Sequence, residues 1–431
     1  MEQKQGSSFV TETIKEKPVN KKKLFRRTVT TVSFAIVFGL IACLTFFLME
    51  PVINRILNPE EITKVTFPEE EEELKPEELL TEESMAQQEE SLQEVVEAAR
   101  EVVKNGQTDA SIEEYEKTYS HLQTLAKNTA KSVATVIGIS EQQDWFSGTT
   151  ENENTTAGLI VAENGVEILI LADANNLQNA REHYIRFHDK QMVEAQLKEK
   201  DAQTGLAVYA VKMSSLPEET KEGIVMASLG NSTGDNIVGS PAITIGAPYG
   251  TIGSLSYGMV TANGKKLNLV DAVYNIIMTD MSKTPNASGA VINLQGEVIG
   301  FVTQSADAAN GTIAALGISD IKTLIAKLSN DEKRAYVGIR GMDVTEEAHV
   351  EAGVPYGVYV SEVMTESPAM AAGIQNGDVI VALSGNKVTS FREFRAGIFA
   401  VQPNTIIEIT LLRFDGTKYK EIKMEITTGE A

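Results

Sequence analysis

Histidine, cysteine and serine are the side chains from which this chain could build a reactive centre, and the first two are scarce. The four histidines stand at 121, 183, 188 and 349. They show no His-Glu-x-x-His or other ligand spacing, so a histidine-built metal site is not expected. The single cysteine, Cys43, excludes an intramolecular disulfide and any multi-cysteine zinc or iron–sulfur centre. Serine chemistry is limited by the same shortage, because a serine hydroxyl is a weak nucleophile unless an adjacent base takes its proton. No cofactor is expected.

The elements that must position these groups follow from composition. A length of 431 residues fits two or three domains, and 42% hydrophobic content supplies real cores. The net charge of −22 makes non-specific nucleic-acid binding a poor reading. That charge is unevenly placed. Residues 1–27 carry eight basic and three acidic groups, whereas residues 60–116 carry 20 acidic and 4 basic groups. Between these extremes, Thr28 to Met49 contains no charge and has the length of a membrane-crossing helix. It is longer than the apolar region of a signal peptide and ends in Leu48-Met49-Glu50-Pro51, which favours an uncleaved anchor. Lys21 to Arg27 just before it place residues 1–27 in the cytoplasm and everything after residue 50 outside. The expected location is therefore the cell membrane, single-pass, with the bulk extracytoplasmic.

Residues 50–83 hold four prolines and the run Glu69 to Glu73, which reads as an acidic, extended, solvated stalk. Residues 84–128 carry two helical patterns, one through Leu92, Val95, Val96, Ala99, Val102 and Val103, the other through Ile112, Tyr115, Tyr119 and Leu122. Either the helices pack on each other and on the domain behind them, or they form a short coiled coil. From 129 to 330 short β-type runs alternate with Gly and Asn turns, the pattern of an antiparallel barrel or sandwich, closed by a helix over Ile318 to Leu328. Residues 333–428 form a second unit with its own strand–turn–helix pattern. The fold class is mainly β.

The last unit resembles a PDZ domain of the bacterial HtrA/DegP type. The resemblance rests on Tyr336-Val337-Gly338-Ile339, Gly353-Val354-Pro355-Tyr356-Gly357-Val358, Ser367-Pro368-Ala369, Ala372-Gly373-Ile374 and Gly377-Asp378-Val379-Ile380. It implies a loop whose backbone N–H groups receive the C-terminal carboxylate of a peptide that pairs as an added strand. By resemblance the groove comprises Tyr336, Val337, Gly338 and Ile339 with Phe394 and Ile398 of a helix near 390–400. For those two, simple core packing is the other reading. The middle unit resembles the trypsin-like double β-barrel of the same family through Gly158-Leu159-Ile160-Val161, Thr204-Gly205-Leu206-Ala207-Val208, Leu229-Gly230-Asn231-Ser232, Gly246-Ala247-Pro248-Tyr249-Gly250 and Asn293-Leu294-Gln295-Gly296-Glu297.

That family is one of serine endopeptidases, and the motifs locate the positions of its triad. The histidine position, after Ile168-Leu169-Ile170-Leu171, falls on Asp173. The aspartate position falls on Gly205. An ungapped count back from Asn293 puts Ala287 at the nucleophile, with Asn286 and Gly289 matching, and a one-residue gap would put Ser288 there instead. The ungapped count is preferred, because a deletion between nucleophile and strand would distort the site. It also places Pro285, which has no N–H, at one of the two oxyanion-hole positions. An Asp173–Ser288 dyad is a further alternative. The resemblance so read implies a membrane-anchored pseudoprotease that binds peptide segments or protein C-termini. Its assembly would be a homo-trimer or a mixed oligomer with an active paralogue. The other reading is an active or weakly active serine endopeptidase of extracytoplasmic protein quality control.

Overall fold

Alternating apolar residues and tight turns build two barrels in succession. In the computed structural model the described residues are 62–68 and 112–430, apart from 145–147, 178, 235 and 307–310, together with scattered positions between 22 and 45. Residues 1–61 and 62–431 are separate units. Half of the anchor expected at 28–49 lies outside the described residues. The positions described there are helical with exposed side chains, and among the described residues no helix is long and apolar enough to cross a membrane. Residues 46–61 and 69–111, which hold most of the stalk and the first helical pattern, also lie outside.

Helix α1 (Ile112–Thr129) leads into the first barrel. Ala126 is fully buried, and Leu122 and Leu125 pack against the barrel core, so its C-terminal half lies on the domain behind it. Six antiparallel strands close that barrel: β1 (Val133–Asp144), β2 (Gly148–Glu163), β3 (Glu167–Asp173), β4 (Glu182–Arg186), β5 (Met192–Lys200) and β6 (Leu206–Lys212). A short helix, α2 (Glu218–Gly223), follows. The second barrel comprises β7 (Pro241–Ala247), β8 (Ser254–Leu269), β9 (Ala272–Ser282), β10 (Ser288–Ile292), β11 (Val298–Val302) and β12 (Thr312–Gly317). It is sealed by α3 (Ile318–Ser329), whose Ile318, Ile321, Leu324, Ile325 and Leu328 join a core shared with both barrels. The barrels touch where side chains are missing. A Cβ on Gly246 would lie 2.8 Å from the Gly289 Cα and 2.9 Å from the Ala157 Cβ.

One part of the stalk reading is corrected. Residues 62–67 run along the barrel rather than through solvent. Val65 is buried, its N–H donates to Asn330 Oδ1 at 2.9 Å, and Asn330 Nδ2 donates back to its carbonyl at 2.8 Å. Asn330 thus supplies a strand-like partner for an apolar residue inside an acidic segment.

The C-terminal unit contains β13 (Ala335–Tyr336), β14 (Ile339–Asp343), α4 (Glu346–Ala352), β15 (Val358–Val363), α5 (Pro368–Ala372), β16 (Val379–Leu383), β17 (Asn386–Lys387), α6 (Phe391–Ala400), β18 (Ile406–Phe414), β19 (Tyr419–Thr427) and β20 (Gly429–Glu430). Its main sheet runs β14-β15-β16-β18-β19, which leaves β14 as an edge strand. Each helix starts on a side-chain cap: Thr345, Ser367 and Ser390 accept the N–H of Ala348, Met370 and Glu393.

The unit is docked on the barrels by buried charge. Arg395 of α6 donates to Asp320 Oδ1 of α3 at 2.9 Å and to the Val273 carbonyl of β9 at 2.6 Å, and its guanidinium lies 4.8 Å from the Tyr274 ring centroid. Arg334 reaches Asp201 at 3.1 Å, with both side chains buried. Removing one partner of a buried pair strands the other charge, at a cost of about 3–5 kcal/mol. Arg395→Ala is therefore expected to lower the unfolding free energy of the chain by about that amount, read as a shift of the urea midpoint. A midpoint within error of the unsubstituted chain would show that the docking contributes nothing.

Candidate active site and peptide groove

In a serine protease the base stands between the nucleophile and a carboxylate that orients it. Here the corresponding loops meet where the two barrels join, at the end of β3, the start of β6 and the start of β10. Gly205 precedes β6 in a left-handed conformation, φ +77°. A Cβ built on it would lie 2.0 Å from Asn175 Nδ2, so Asn175 fills the space where a carboxylate side chain would begin. Asn175 lies in a single turn of 3₁₀-helix, Ala174–Leu177. The side chain that faces Gly205 is therefore that of Asn175, two residues beyond Asp173. Register along the strand alone stops two residues short, because the turn carries the chain on toward β6.

Asp173 has another role. Its side chain is fully buried. Oδ1 accepts the Asn175 N–H at 2.9 Å, and Oδ2 accepts the Gln304 N–H at 2.7 Å and the Thr303 hydroxyl at 3.0 Å. Burial pushes its carboxyl above the usual carboxylate range, against the pull of the Gln304 and Asn175 N–H groups and the Thr303 hydroxyl. It ties the first barrel to the end of β11 in the second.

Ala287 is buried at the start of β10, and its N–H donates to the Thr284 carbonyl at 3.1 Å. The donor that would face an oxyanion is thus spent inside its own loop, and Pro285 has none to offer. Ser288 is buried, and its Oγ accepts the Ala157 N–H of β2 at 2.9 Å. No hydrogen bond joins Ser288 to Asp173, so the dyad alternative has no contact behind it. The histidines stand elsewhere: His183 lies beside Tyr209, His188 beside Gly223, His349 on Tyr356 in the C-terminal unit, and His121 is exposed on α1.

The loop Tyr336 to Ile339 of the C-terminal unit has a neighbour that sequence reasoning missed. Asp271 stands at the tip of the β8–β9 hairpin of the second barrel. Its carboxylate accepts the N–H groups of Val337 at 2.8 Å, of Gly338 at 2.9 and 3.0 Å, and of Ile339 at 3.0 Å. Its own N–H donates to the Ile339 carbonyl at 2.8 Å. Burial pushes the Asp271 carboxyl upward, opposed by the N–H donors of Ile339, Gly338 and Val337 and by Arg334. Gly338 (φ +91°) has no room for a side chain, since a Cβ would lie 2.3 Å from that of Ser367. Tyr336 is half-buried, and its strand pairs with Gly429. Phe394 and Ile398 are fully buried in the core of the unit, against which Val273 of the hairpin also packs. Core packing is therefore what these two residues do.

Comparison with known proteins agrees with this architecture. A trypsin-like peptidase domain model matches residues 156–301 and a PDZ domain model matches residues 329–426. The periplasmic pH-dependent serine endoprotease DegQ of Escherichia coli is 26% identical over 288 residues, covering 65% of this chain and 61% of its own. A probable periplasmic serine endoprotease of DegP-like type from Chlamydia muridarum is 29% identical over 297 residues, covering 67% of this chain and 55% of its own. The chain thus spans somewhat over half the length of these relatives. Serine endoprotease DegS of Haemophilus influenzae is 29% identical over 273 residues, 60% of this chain and 74% of its own. The HtrA-type protease AlgW with decapeptide superposes with a TM-score of 0.53 at 20% identity, covering 72% of this chain and 98% of that one. With a trypsin-like peptidase domain followed by a PDZ domain, and relatives of the DegP, DegQ and DegS kinds, the chain is similar to the HtrA/DegP-like family.

Proposed function

We propose that this chain is a membrane-anchored, extracytoplasmic pseudoprotease of its family. It would capture the carboxylate ends of peptides or proteins through its PDZ domain. The observation that carries the loss of catalysis is the neighbour of Gly205. Asn175 stands at the base position, and an amide cannot take a proton from serine at neutral pH. The Ala287 N–H bonded within its loop and the absence of an N–H on Pro285 support the same reading. The uncharged stretch 28–49 after a basic cluster supports the anchor and the single-pass, cytoplasmic-N-terminus placement. The family resemblance supports assembly as a homo-trimer or with an active paralogue. Carboxylate capture is supported by the N–H groups of Val337, Gly338 and Ile339, which converge on one carboxylate within the chain itself.

Purified full-length chain incubated with casein is expected to yield no cleavage products, because losing the base or nucleophile of a triad lowers turnover by about a million-fold. Cleavage that Ser288→Ala abolishes would overturn the proposal in favour of a working endopeptidase. The same variant has a second readout. Ser288 Oγ is the acceptor for the buried Ala157 N–H, so Ser288→Ala should cost about 1–3 kcal/mol of stability in a urea titration. Unchanged stability would mean that the hydroxyl is not held in this structural role.

A further inference from the structure

The PDZ loop already has a ligand. A terminal carboxylate bound to such a loop accepts N–H groups from successive residues, and the terminal residue's own N–H starts pairing with the adjacent edge strand. Asp271 reproduces both features within the chain. Its carboxylate accepts the N–H groups of Val337, Gly338 and Ile339, and its N–H donates to the carbonyl of Ile339, the first residue of edge strand β14. Two residues on, Val273 lays its side chain against the PDZ core, and its carbonyl is held by Arg395 of α6, the helix that forms the opposite wall. Gln203 of the first barrel accepts the Val270 N–H at 2.8 Å and steadies the hairpin from behind. A carboxylate, a strand-type hydrogen bond and an apolar side chain therefore occupy the groove in the places a peptide end would take.

Resting on the reading that this groove captures carboxylates, we propose that the hairpin tip Val270–Val273 is a resident internal ligand of the PDZ domain, and that a free C-terminus binds by displacing Asp271. Competition of this kind is steep. An occupant tethered in the same chain competes at an effective concentration of about millimolar or above. The Arg395–Asp320 and Arg334–Asp201 pairs, both buried on the docked face, hold the occupant in register. A peptide must therefore loosen the docking of the PDZ domain on the barrels as it enters. Binding and domain release become one event.

The test uses the full chain and a labelled octapeptide ending in three valines, with its C-terminal amide as control. Asp271→Asn keeps the shape and the left-handed backbone of the tip while removing the ionised acceptor. It is expected to tighten binding of the free-carboxylate peptide at least tenfold, with little gain for the amide. Arg395→Ala, which weakens the docking from the other wall, is expected to shift affinity in the same direction. In hydrogen exchange the amides of Val337, Gly338 and Ile339 should be protected in the unsubstituted chain and exchange at least tenfold faster in Asp271→Asn. Equal peptide affinity for the unsubstituted chain and both variants, or unchanged protection of the three amides, overturns the internal ligand. If Asp271→Asn loses protection yet binds acid and amide peptides equally, carboxylate capture itself falls, and the displacement with it.

Discussion

A buried carboxylate that receives backbone N–H groups is the joint on which the body formed by residues 62–431 depends. Asp173 takes the N–H of Gln304 across the boundary between the barrels. Asp271 takes three N–H groups of the PDZ loop. Asp320 takes the Asn275 N–H on one oxygen and Arg395 on the other. In each case a charge that would be costly to bury alone is offset by donors that would themselves be costly to leave unpaired. The parts of the molecule are thereby fixed by a few directional contacts as well as by apolar area.

The same principle accounts for the condition of the candidate active site. A working centre keeps its polar groups pointed into a cleft, ready for a substrate. Here they are turned inward. The Ala287 N–H, the Ser288 hydroxyl and both oxygens of Asp173 each have a partner within the fold. Asn175 fills the volume beside Gly205. The loops of the candidate site are part of the seam that joins the barrels, through Asp173 with Thr303 and Gln304 and through Ser288 with Ala157.

Much of this was legible in the sequence, for physical reasons that also mark where legibility ends. Strands buried on both faces announced themselves as apolar runs, β3 and β6 among them. By contrast β5, with Met192, Glu194, Gln196 and Lys200 exposed, and β8, largely solvent-facing, carry too weak a pattern to be picked out. The glycines of the PDZ motifs were informative because their backbone conformations exclude other residues. The residue that faces Gly205, Asn175, stands two residues beyond the one that strand register picks out, since a 3₁₀ turn does not preserve that register. Asp271 left no signal at all. It is an acidic residue in a hairpin turn, and its partners stand 66 to 68 residues away in another domain.

Two independent constraints nevertheless meet at Asp271 and explain why that residue type belongs there. The backbone is left-handed, φ +58°, a conformation that glycine adopts freely and that Asn and Asp tolerate better than other side chains. Of these, glycine has no acceptor, and asparagine would turn an N–H₂ toward a row of N–H donors. Only aspartate combines the backbone with two acceptor oxygens for three donors. The loop opposite is constrained as tightly, because Gly338 must present its N–H from a conformation with no space for a Cβ. A contact in which each side admits so few residues is specified chemically, not merely by packing. In the proposed displacement, a peptide carboxylate would have to meet the same donors with the same geometry to replace it.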